Sequence, residues 1–263
     1  MDLGLTGRVA LVAAASKGLG RAIAEELAAE GAKLALCSRD AAAIEATGRA
    51  IAAATGAQVL ARAADVTRPE DVAALVDAAL ERFGKVDVLV TNGGGPPSGP
   101  FESHDAAAWR RAAEGVLFAP VELTRRVLPG MKERRWGRIL CVTGIAAKQP
   151  VDGLMLSNSL RAAVTGWART LANEVAPFGV TVNCLVPGYT RTERVSELAA
   201  ATAKREGIAE SEALARWERQ IPMGRLGTPH ELAALAAFLA SERAAYITGT
   251  SIPVDGGWVR GLF

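Results

Sequence analysis

Cysteine and histidine, the residues that build disulfide frameworks and many metal sites, are scarce in this sequence. Three cysteines (Cys37, Cys141 and Cys184) and two histidines (His104 and His230) occur among 263 residues. Each cysteine lies in a short apolar run without Cys-x-x-Cys or other metal-ligand spacing, so a disulfide scaffold and a metal site are not expected. We expect buried free thiols in a reducing compartment, and histidines at the surface or at a helix start rather than in catalysis.

Long apolar runs and an excess of charge of one sign are also missing. No stretch of 18 or more apolar residues occurs, and the opening MDLGLTGRVALV lacks the pattern of a signal peptide. The 30 lysines and arginines nearly balance 28 aspartates and glutamates, which leaves a net charge of +2. We therefore expect a cytoplasmic protein with no membrane and no nucleic acid as partner. With 50% hydrophobic residues the chain can build a sizeable core.

Short apolar runs alternate with longer helical patterns along the whole chain. Seven runs are strand candidates, and most are apolar on both faces, as parallel strands covered by helices are. They span 8–14, 33–38, 58–64, 86–91, 138–143, 180–186 and 250–254. One helical pattern ends at Gly31, and others span 40–54, 69–83, 105–134 (interrupted by Pro120), 158–176 and 229–241. The alternation predicts an α/β fold: a single-domain, Rossmann-like, doubly wound parallel sheet of about seven strands over residues 1–263.

Two segments interrupt this rhythm. A glycine-proline loop, NGGGPPSGPF, occupies 92–101, and a charged stretch occupies 193–220. Ligands bind outside the carboxyl ends of the strands in such sheets. We therefore expect both segments to line a ligand site, with a substrate-loop segment at about 189–225.

A glycine turn follows the first predicted strand and opens an amphipathic helix, in VAAASKGLGRAI (12–23). Two glycines let the backbone approach a pyrophosphate, and the helix start supplies free N–H groups and a positive dipole. The turn residues predicted to bind a dinucleotide are Ser16, Lys17, Gly18, Leu19 and Gly20.

These features resemble the short-chain dehydrogenase/reductase family, in particular its 3-oxoacyl-acyl-carrier-protein reductase branch, over essentially the whole chain. The family's turn Thr-Gly-x-x-x-Gly-x-Gly corresponds to residues 13–20, with Ala14 at the first glycine. The resemblance implies an adenine site, a nicotinamide-ribose site, and a segment that meets the carboxamide and phosphates. Asp65 and Val66 would form the adenine site. Asn92, Gly93 and Gly94 would form the nicotinamide-ribose site. The segment that meets the carboxamide and phosphates would consist of Pro187, Gly188, Thr190 and Thr192. ITGTSIPVDGGW (247–258) resembles the family's C-terminal signature, which implies a homo-oligomer, a tetramer or dimer.

Charge after the second strand indicates which dinucleotide is bound. Ser38 and Arg39 stand where an acidic residue would bind a bare ribose 2′-hydroxyl. Arg39 can pair with a 2′-phosphate, and Lys17 can add a second positive charge. The pattern favours NADP(H) over NAD(H), although Asp40 follows directly.

The four catalytic positions implied by the resemblance hold unusual residues. The serine position is Gly144, with Thr143 just before it, and the tyrosine position is Ser157. Arg161 stands at the lysine position and Val116 at the asparagine position. The resemblance therefore implies that the usual catalytic tetrad is missing.

The spacing of Ser157 and Arg161 still places them on one face of a helix. Arg161 can hydrogen-bond the ribose and keep a positive charge beside the nicotinamide, but it cannot act as an acid. Loss of general acid catalysis typically lowers the rate by ~10² to 10⁴.

Other side chains are candidates for the proton donor. Tyr189 follows Pro187-Gly188, Lys148 lies after the fifth strand, and Thr143 offers a hydroxyl to a carbonyl. Asn158, in the first turn of a helix, is better interpreted as a local partner of the backbone.

The leading hypothesis is an NADP(H)-dependent oxidoreductase that reduces a 3-oxoacyl-like ketone or a conjugated double bond of a small-molecule or acyl substrate. Its proton would come from water, Ser157, Tyr189 or the substrate. One alternative is a catalytically silent NADPH-binding subunit that pairs with itself or with an active relative. Another is a sensor of NADPH or of an acyl ligand.

Overall fold

The computed structural model describes residues 2–262; Met1 and Phe263, the ends of the predicted domain, lie outside this range. It contains seven strands: β1 (Val9–Val12), β2 (Lys33–Ser38), β3 (Val59–Ala63), β4 (Val88–Thr91), β5 (Gly137–Val142), β6 (Val180–Pro187) and β7 (Ser251–Val254). They form one parallel sheet in the order β3-β2-β1-β4-β5-β6-β7. The predicted doubly wound sheet is confirmed.

Helices cover both faces of this sheet. Within residues 2–262 they are α1 (Gly18–Ala29), α2 (Ala41–Thr55), α3 (Pro69–Phe83), α4 (Ala106–Ala113), α5 (Ala119–Glu133), α6 (Met155–Val175), α7 (Glu193–Glu206), α8 (Glu210–Gln220) and α9 (Pro229–Ala240). None of the helices in this range is long and apolar enough to cross a membrane.

Side chains of the central strands alternate between two cores. In β1, Leu11 packs on the side of α3, α5 and α6, whereas Ala10 and Val12 pack on the side of α1, α2 and α9. This two-sided burial explains why the strands are apolar throughout. The three cysteines are buried free thiols, as predicted.

The predicted helix over 105–134 is divided at Pro120, though without a loop. A π-helical turn, Glu114–Phe118, joins α4 to α5, and Pro120 lies in the first turn of α5. Proline has no N–H to donate, and a helix start has no partner for one, so this position tolerates it.

The charged stretch 193–220 forms two helices, α7 and α8, which were not predicted. Small apolar residues of α7 (Val195, Ala199 and Ala203) face inward. On the outer side Arg216 pairs with Glu206 and Glu212. Because each helix buries only a narrow stripe of small residues and carries many charged ones, the sequence of this segment is mostly polar. Its hydrophobic periodicity was therefore too weak to predict the helices.

Candidate active site

The turn between β1 and α1 is held by backbone hydrogen bonds to both neighbouring strands. The Ala13 N–H donates to the Val90 carbonyl (3.1 Å) and the Ala15 N–H to the Cys37 carbonyl (2.9 Å). Between them, Ala14 has φ +50°, in the left-handed region that favours glycine. The backbone therefore adopts a glycine conformation at the residue aligned with the family's first glycine.

Asn92 and Gly20 pack against this turn. The Asn92 amide nitrogen donates to the carbonyls of Ala13 (3.3 Å) and Ala14 (3.2 Å). A Cβ atom at Gly20 would lie 2.5 Å from the Ala14 oxygen and 2.6 Å from the Asn92 amide nitrogen. Only glycine fits at position 20. Asn92, predicted to lie beside the nicotinamide ribose, directs its amide nitrogen to the turn.

The residues predicted to recognise the 2′-phosphate lie at the carboxyl end of β2 and at the start of α1. Lys17 and Arg39 are exposed, and Ser38 is buried with its hydroxyl donating to the Asp40 carbonyl (2.9 Å). The Asp40 carboxylate accepts the Ala43 N–H (3.0 Å) and caps α2. Asp40 therefore uses its carboxylate at the helix start, which weakens the sequence argument against a 2′-phosphate.

Asp65, predicted to bind adenine, follows β3 and forms a tight local turn. One carboxylate oxygen accepts the Thr67 N–H (3.0 Å) and the Thr67 hydroxyl (2.8 Å). Burial acts to raise the pKa of Asp65, but these hydrogen bonds and the charges of Arg39 and Arg68 outweigh it and lower the pKa. The carboxylate is ionised at neutral pH.

The loop after β6 returns to the glycine turn. The Thr190 hydroxyl donates to the Gly188 carbonyl (3.2 Å), and the Thr192 hydroxyl donates to the Thr190 carbonyl (3.2 Å). A Cβ atom at Gly18 would lie 3.6 Å from the Thr192 methyl group. The structure thus brings together two segments, the glycine turn and residues 187–192, that the sequence assigned to one dinucleotide.

Ser157 and Arg161 are hydrogen-bonded to each other on α6. Arg161 Nε donates to Ser157 Oγ (3.1 Å), and Nη1 donates to the Val142 carbonyl (3.2 Å) and to the Thr143 carbonyl. Burial, together with the charge of Arg194, lowers the pKa of Arg161 to about 10. Arg161 therefore remains a cation at neutral pH, fixed between helix and sheet.

Thr143 and Gly144 follow β5 beside this arginine. The buried Thr143 hydroxyl donates to the Leu185 carbonyl (3.1 Å), so its hydrogen is already used within the sheet. Gly144 is extended, with φ 162°, and a Cβ atom there would lie 3.6 Å from Arg161 Cδ. A side chain at position 144 would be in ordinary contact with Arg161.

A cavity of about 20 Å³ lies next to Arg161, with residues 92–94 and Val66 in its wall. Val116, the residue at the predicted asparagine position, also lines it from the π-helical turn. The volume is sufficient for one water molecule. Valine offers such a water no hydrogen bond, whereas Arg161 does.

Tyr189 lies in an aromatic cluster that was not predicted from the sequence. Its ring stacks on Trp217 with centroids 4.7 Å apart and meets Trp258 edge-on at 6.1 Å. Burial, with a contribution from the charge of Asp152, raises the pKa of Tyr189 to about 12. The phenol is a weaker acid than a free tyrosine, which disfavours it as the proton donor.

The remaining candidates have separate environments. Asn158 exchanges two hydrogen bonds with the Val151 backbone (3.1 and 3.0 Å), as predicted. His230 is exposed in the first turn of α9, also as predicted. His104 was expected at the surface but is partly buried, and its Nε2 is covered without a hydrogen-bond partner among residues 2–262. Lys148 is partly buried after β5.

Arg194, in the first turn of α7, was also missed. Its Nη2 donates to the Pro96 carbonyl (2.7 Å), and a Cβ atom at Gly95 would lie 2.9 Å from its Nε. The run of three glycines at 93–95 is the sequence signal from which such a close approach could have been predicted. Arg194 therefore spans from α7 to the loop after β4.

The parallel sheet, the reversal of its strand order between β1 and β4, and the glycine turn define a Rossmann-like α/β protein. A family profile described as enoyl-(acyl carrier protein) reductase matches residues 13–259. The chain belongs to the short-chain dehydrogenase/reductase family.

Similar proteins indicate the class of chemistry. A 3-oxoacyl-acyl-carrier-protein reductase of Vibrio cholerae is 36% identical over 255 residues, covering 97% of this chain and 98% of the relative. The NADPH-dependent reductase BacG of Bacillus subtilis is 32% identical over 261 residues, covering 98% and 100%. The structure of L-sorbose reductase from Gluconobacter frateurii, complexed with NADPH and L-sorbose, has a TM-score of 0.94 at 35% identity and full coverage of both chains. These relatives support an oxidoreductase of the short-chain type.

Proposed function

We propose that this chain is an NADPH-dependent reductase of a 3-oxoacyl-like ketone or a conjugated double bond, with Ser157 and Arg161 as its catalytic pair. The observation that carries the proposal is the hydrogen bond from Arg161 Nε to Ser157 Oγ (3.1 Å). Because the serine oxygen accepts this bond, its own hydrogen is free to be donated to a substrate oxygen. The adjacent cation favours that donation by stabilising negative charge on the serine oxygen.

The residues around the glycine turn fit a dinucleotide with a 2′-phosphate. Gly18 starts α1 in a left-handed conformation (φ +57°), which leaves the helix N–H groups accessible to a pyrophosphate. Lys17 and Arg39 would hold the 2′-phosphate, and Asp40 is engaged in capping α2. Further support is that BacG is named NADPH-dependent and that the sorbose reductase was solved with NADPH. The bound cofactor supplies the hydride.

The other site residues position Ser157 and Arg161 and disfavour other proton donors. The carbonyls of Val142 and Thr143 fix the Arg161 guanidinium, which leaves its Nη2 for the ribose or the substrate. After it donates, Ser157 would regain a proton from solvent, which restores the hydroxyl for the next turnover. Tyr189 is the second donor candidate, but its raised pKa makes it the weaker one.

The test combines binding and turnover. NADPH binding is measured by fluorescence, and ketone and enoyl substrates are screened for NADPH oxidation with Ser157→Ala and Arg161→Ala. Ser159→Ala is the control, since this serine is exposed on the same helix and bonds the Met155 carbonyl. Ser157→Ala should lower kcat by ~10² to 10⁴ with unchanged NADPH affinity. Full turnover by Ser157→Ala would reject Ser157 as donor.

A second candidate function is an NADPH-binding subunit or sensor without turnover. It is supported by the hydrogen bonds that Arg161 and Thr143 already make within the protein. Arg161 already donates to three protein oxygens, and the Thr143 hydroxyl is committed to the sheet. NADPH binding without turnover across the screen would favour this candidate. A chain that binds no dinucleotide would contradict both candidates.

A further inference from the structure

Two arginines from different elements reach the loop after β4. Arg161, on α6, lines the small cavity together with residues 92–94. Arg194, on α7, covers the next two residues, with Nη2 2.7 Å from the Pro96 carbonyl oxygen and Nε next to Gly95. The two guanidinium groups therefore bracket a few residues of one loop.

The charge of Arg161 is not balanced by the protein around it. Its hydrogen bonds go to neutral oxygens, and the wall of the adjacent cavity, as far as the described residues form it, holds no acidic side chain. Arg194 has Glu197 at 3.5 Å, but that carboxylate is exposed on the outside of α7. The charge of Arg194 also adds to the lowering of the Arg161 pKa, so the two cations act on each other. A partly buried cation without a counter-ion is costly, and a bound anion would remove that cost.

The loop between the arginines leaves room for such an anion. Residues 93–95 are all glycine, and a Cβ atom at Gly94 would meet nothing within 4 Å. No side chain of this loop therefore separates a ligand from the two guanidinium groups. Guanidinium groups match the geometry of a carboxylate, which accepts two parallel hydrogen bonds.

We infer that Arg161 and Arg194 bind a carboxylate of the substrate, so that the preferred substrates are oxo or enoyl acids rather than the corresponding neutral esters or ketones. This inference rests on the proposed function and names the substrate class of the same site. Arg194 is a specificity residue in this scheme, and its role is to hold the acid.

Matched ligands test this without turnover. Acetoacetate and methyl acetoacetate carry the same ketone and differ in charge. Each is titrated by calorimetry into the full chain saturated with NADP⁺, in which the ketone cannot be reduced. Wild type should bind the acid more tightly than the ester. Arg194→Gln should weaken acetoacetate binding about tenfold, the effect of one charged hydrogen bond, and leave the ester within about twofold.

Two further variants separate charge from structure. Arg205→Gln removes an exposed arginine at the other end of α7, where it pairs with Glu206, and should change neither affinity. Arg194→Lys keeps the charge and should retain most of the acid preference. Equal weakening of acid and ester by Arg194→Gln, or equal binding of both by wild type, would overturn the inference.

Failure of the two proposals can be told apart. An acid preference that depends on Arg194, in a chain that oxidises no NADPH, would support the carboxylate site and reject the reductase. Turnover of acid and ester with equal KM, unchanged in Arg194→Gln, would support the reductase and reject the carboxylate site.

Discussion

Replacing Ala14 with glycine should stabilise the protein. Ala14 is the residue of the glycine turn with φ +50°, and its side chain is only partly buried, so little packing is lost with the methyl group. An L-residue in the left-handed region costs roughly 1–2 kcal/mol. Glycine removes this cost but adds roughly 0.4–1 kcal/mol of unfolded-chain entropy. The difference predicts a gain of about 0.5–1 kcal/mol in the free energy of unfolding.

The neighbouring alanine provides the control. Ala15 is fully buried and does not have a positive φ. Ala15→Gly loses a buried methyl group and adds the same chain entropy, which predicts a loss of about 1–2 kcal/mol. The two substitutions are chemically identical and differ only in backbone conformation and burial.

Urea unfolding and calorimetry measure both variants. For a chain of this size, we expect Tm to rise by about 1–4 °C for Ala14→Gly and to fall for Ala15→Gly. If Ala14→Gly destabilises the protein as much as Ala15→Gly does, position 14 does not require a glycine conformation. The turn would then not keep the family's glycine geometry around an alanine.

Three further outcomes are expected. Arg39→Ala should weaken NADPH at least about tenfold and NADH little, whereas Arg49→Ala on the exposed face of α2 should change neither; equal loss for both cofactors would reject the 2′-phosphate pairing. Gly20→Ala should abolish dinucleotide binding and lower Tm, because a Cβ atom there would lie 2.5 Å from a carbonyl oxygen; normal binding in fluorescence titrations would contradict this packing. The side-chain hydrogen bond from Arg225 and the hydrogen bond from the Thr228 backbone N–H lower the pKa of Glu231 from 4.5 to about 2. The ionised Glu231 carboxylate therefore stabilises the folded protein above pH 4.5, and this stabilisation is lost as the pH falls toward 2. Glu231→Gln should therefore lower Tm at pH 6 but not at pH 2, and a pH-independent difference in thermal scans would count against the ion pair.

Most of the fold is predictable from local pattern. The central strands are apolar on both faces because helices cover both, and each observed strand lies within two residues of its predicted bounds. The helices that were missed, α7 and α8, bury only a few small residues and carry ion pairs outside. Small buried side chains and surface ion pairs stabilise these two helices, and neither produces a clear periodicity of apolar residues in the sequence.

The location of the site was also predictable, but its hydrogen bonds were not. The carboxyl ends of parallel strands meet at one edge of a sheet, so motifs far apart in sequence, such as Gly18 and Thr192, become neighbours. In contrast, the amide of Asn92 bonds the glycine turn, and the carboxylate of Asp40 caps a helix. A side chain's partner depends on its rotamer and on distant elements, and neither is encoded in spacing.

Residue identity and periodicity alone therefore specify the parallel sheet, the glycine turn and the unusual residues Ser157 and Arg161. Tertiary packing decides what these residues can do. It directs Arg161 toward the oxygen of Ser157, surrounds Tyr189 with tryptophans, and brings Arg194 onto the loop after β4. The physical reason is that strands and helices follow from local hydrophobic pattern, whereas donor direction, desolvation and charge pairing arise only when separate elements meet.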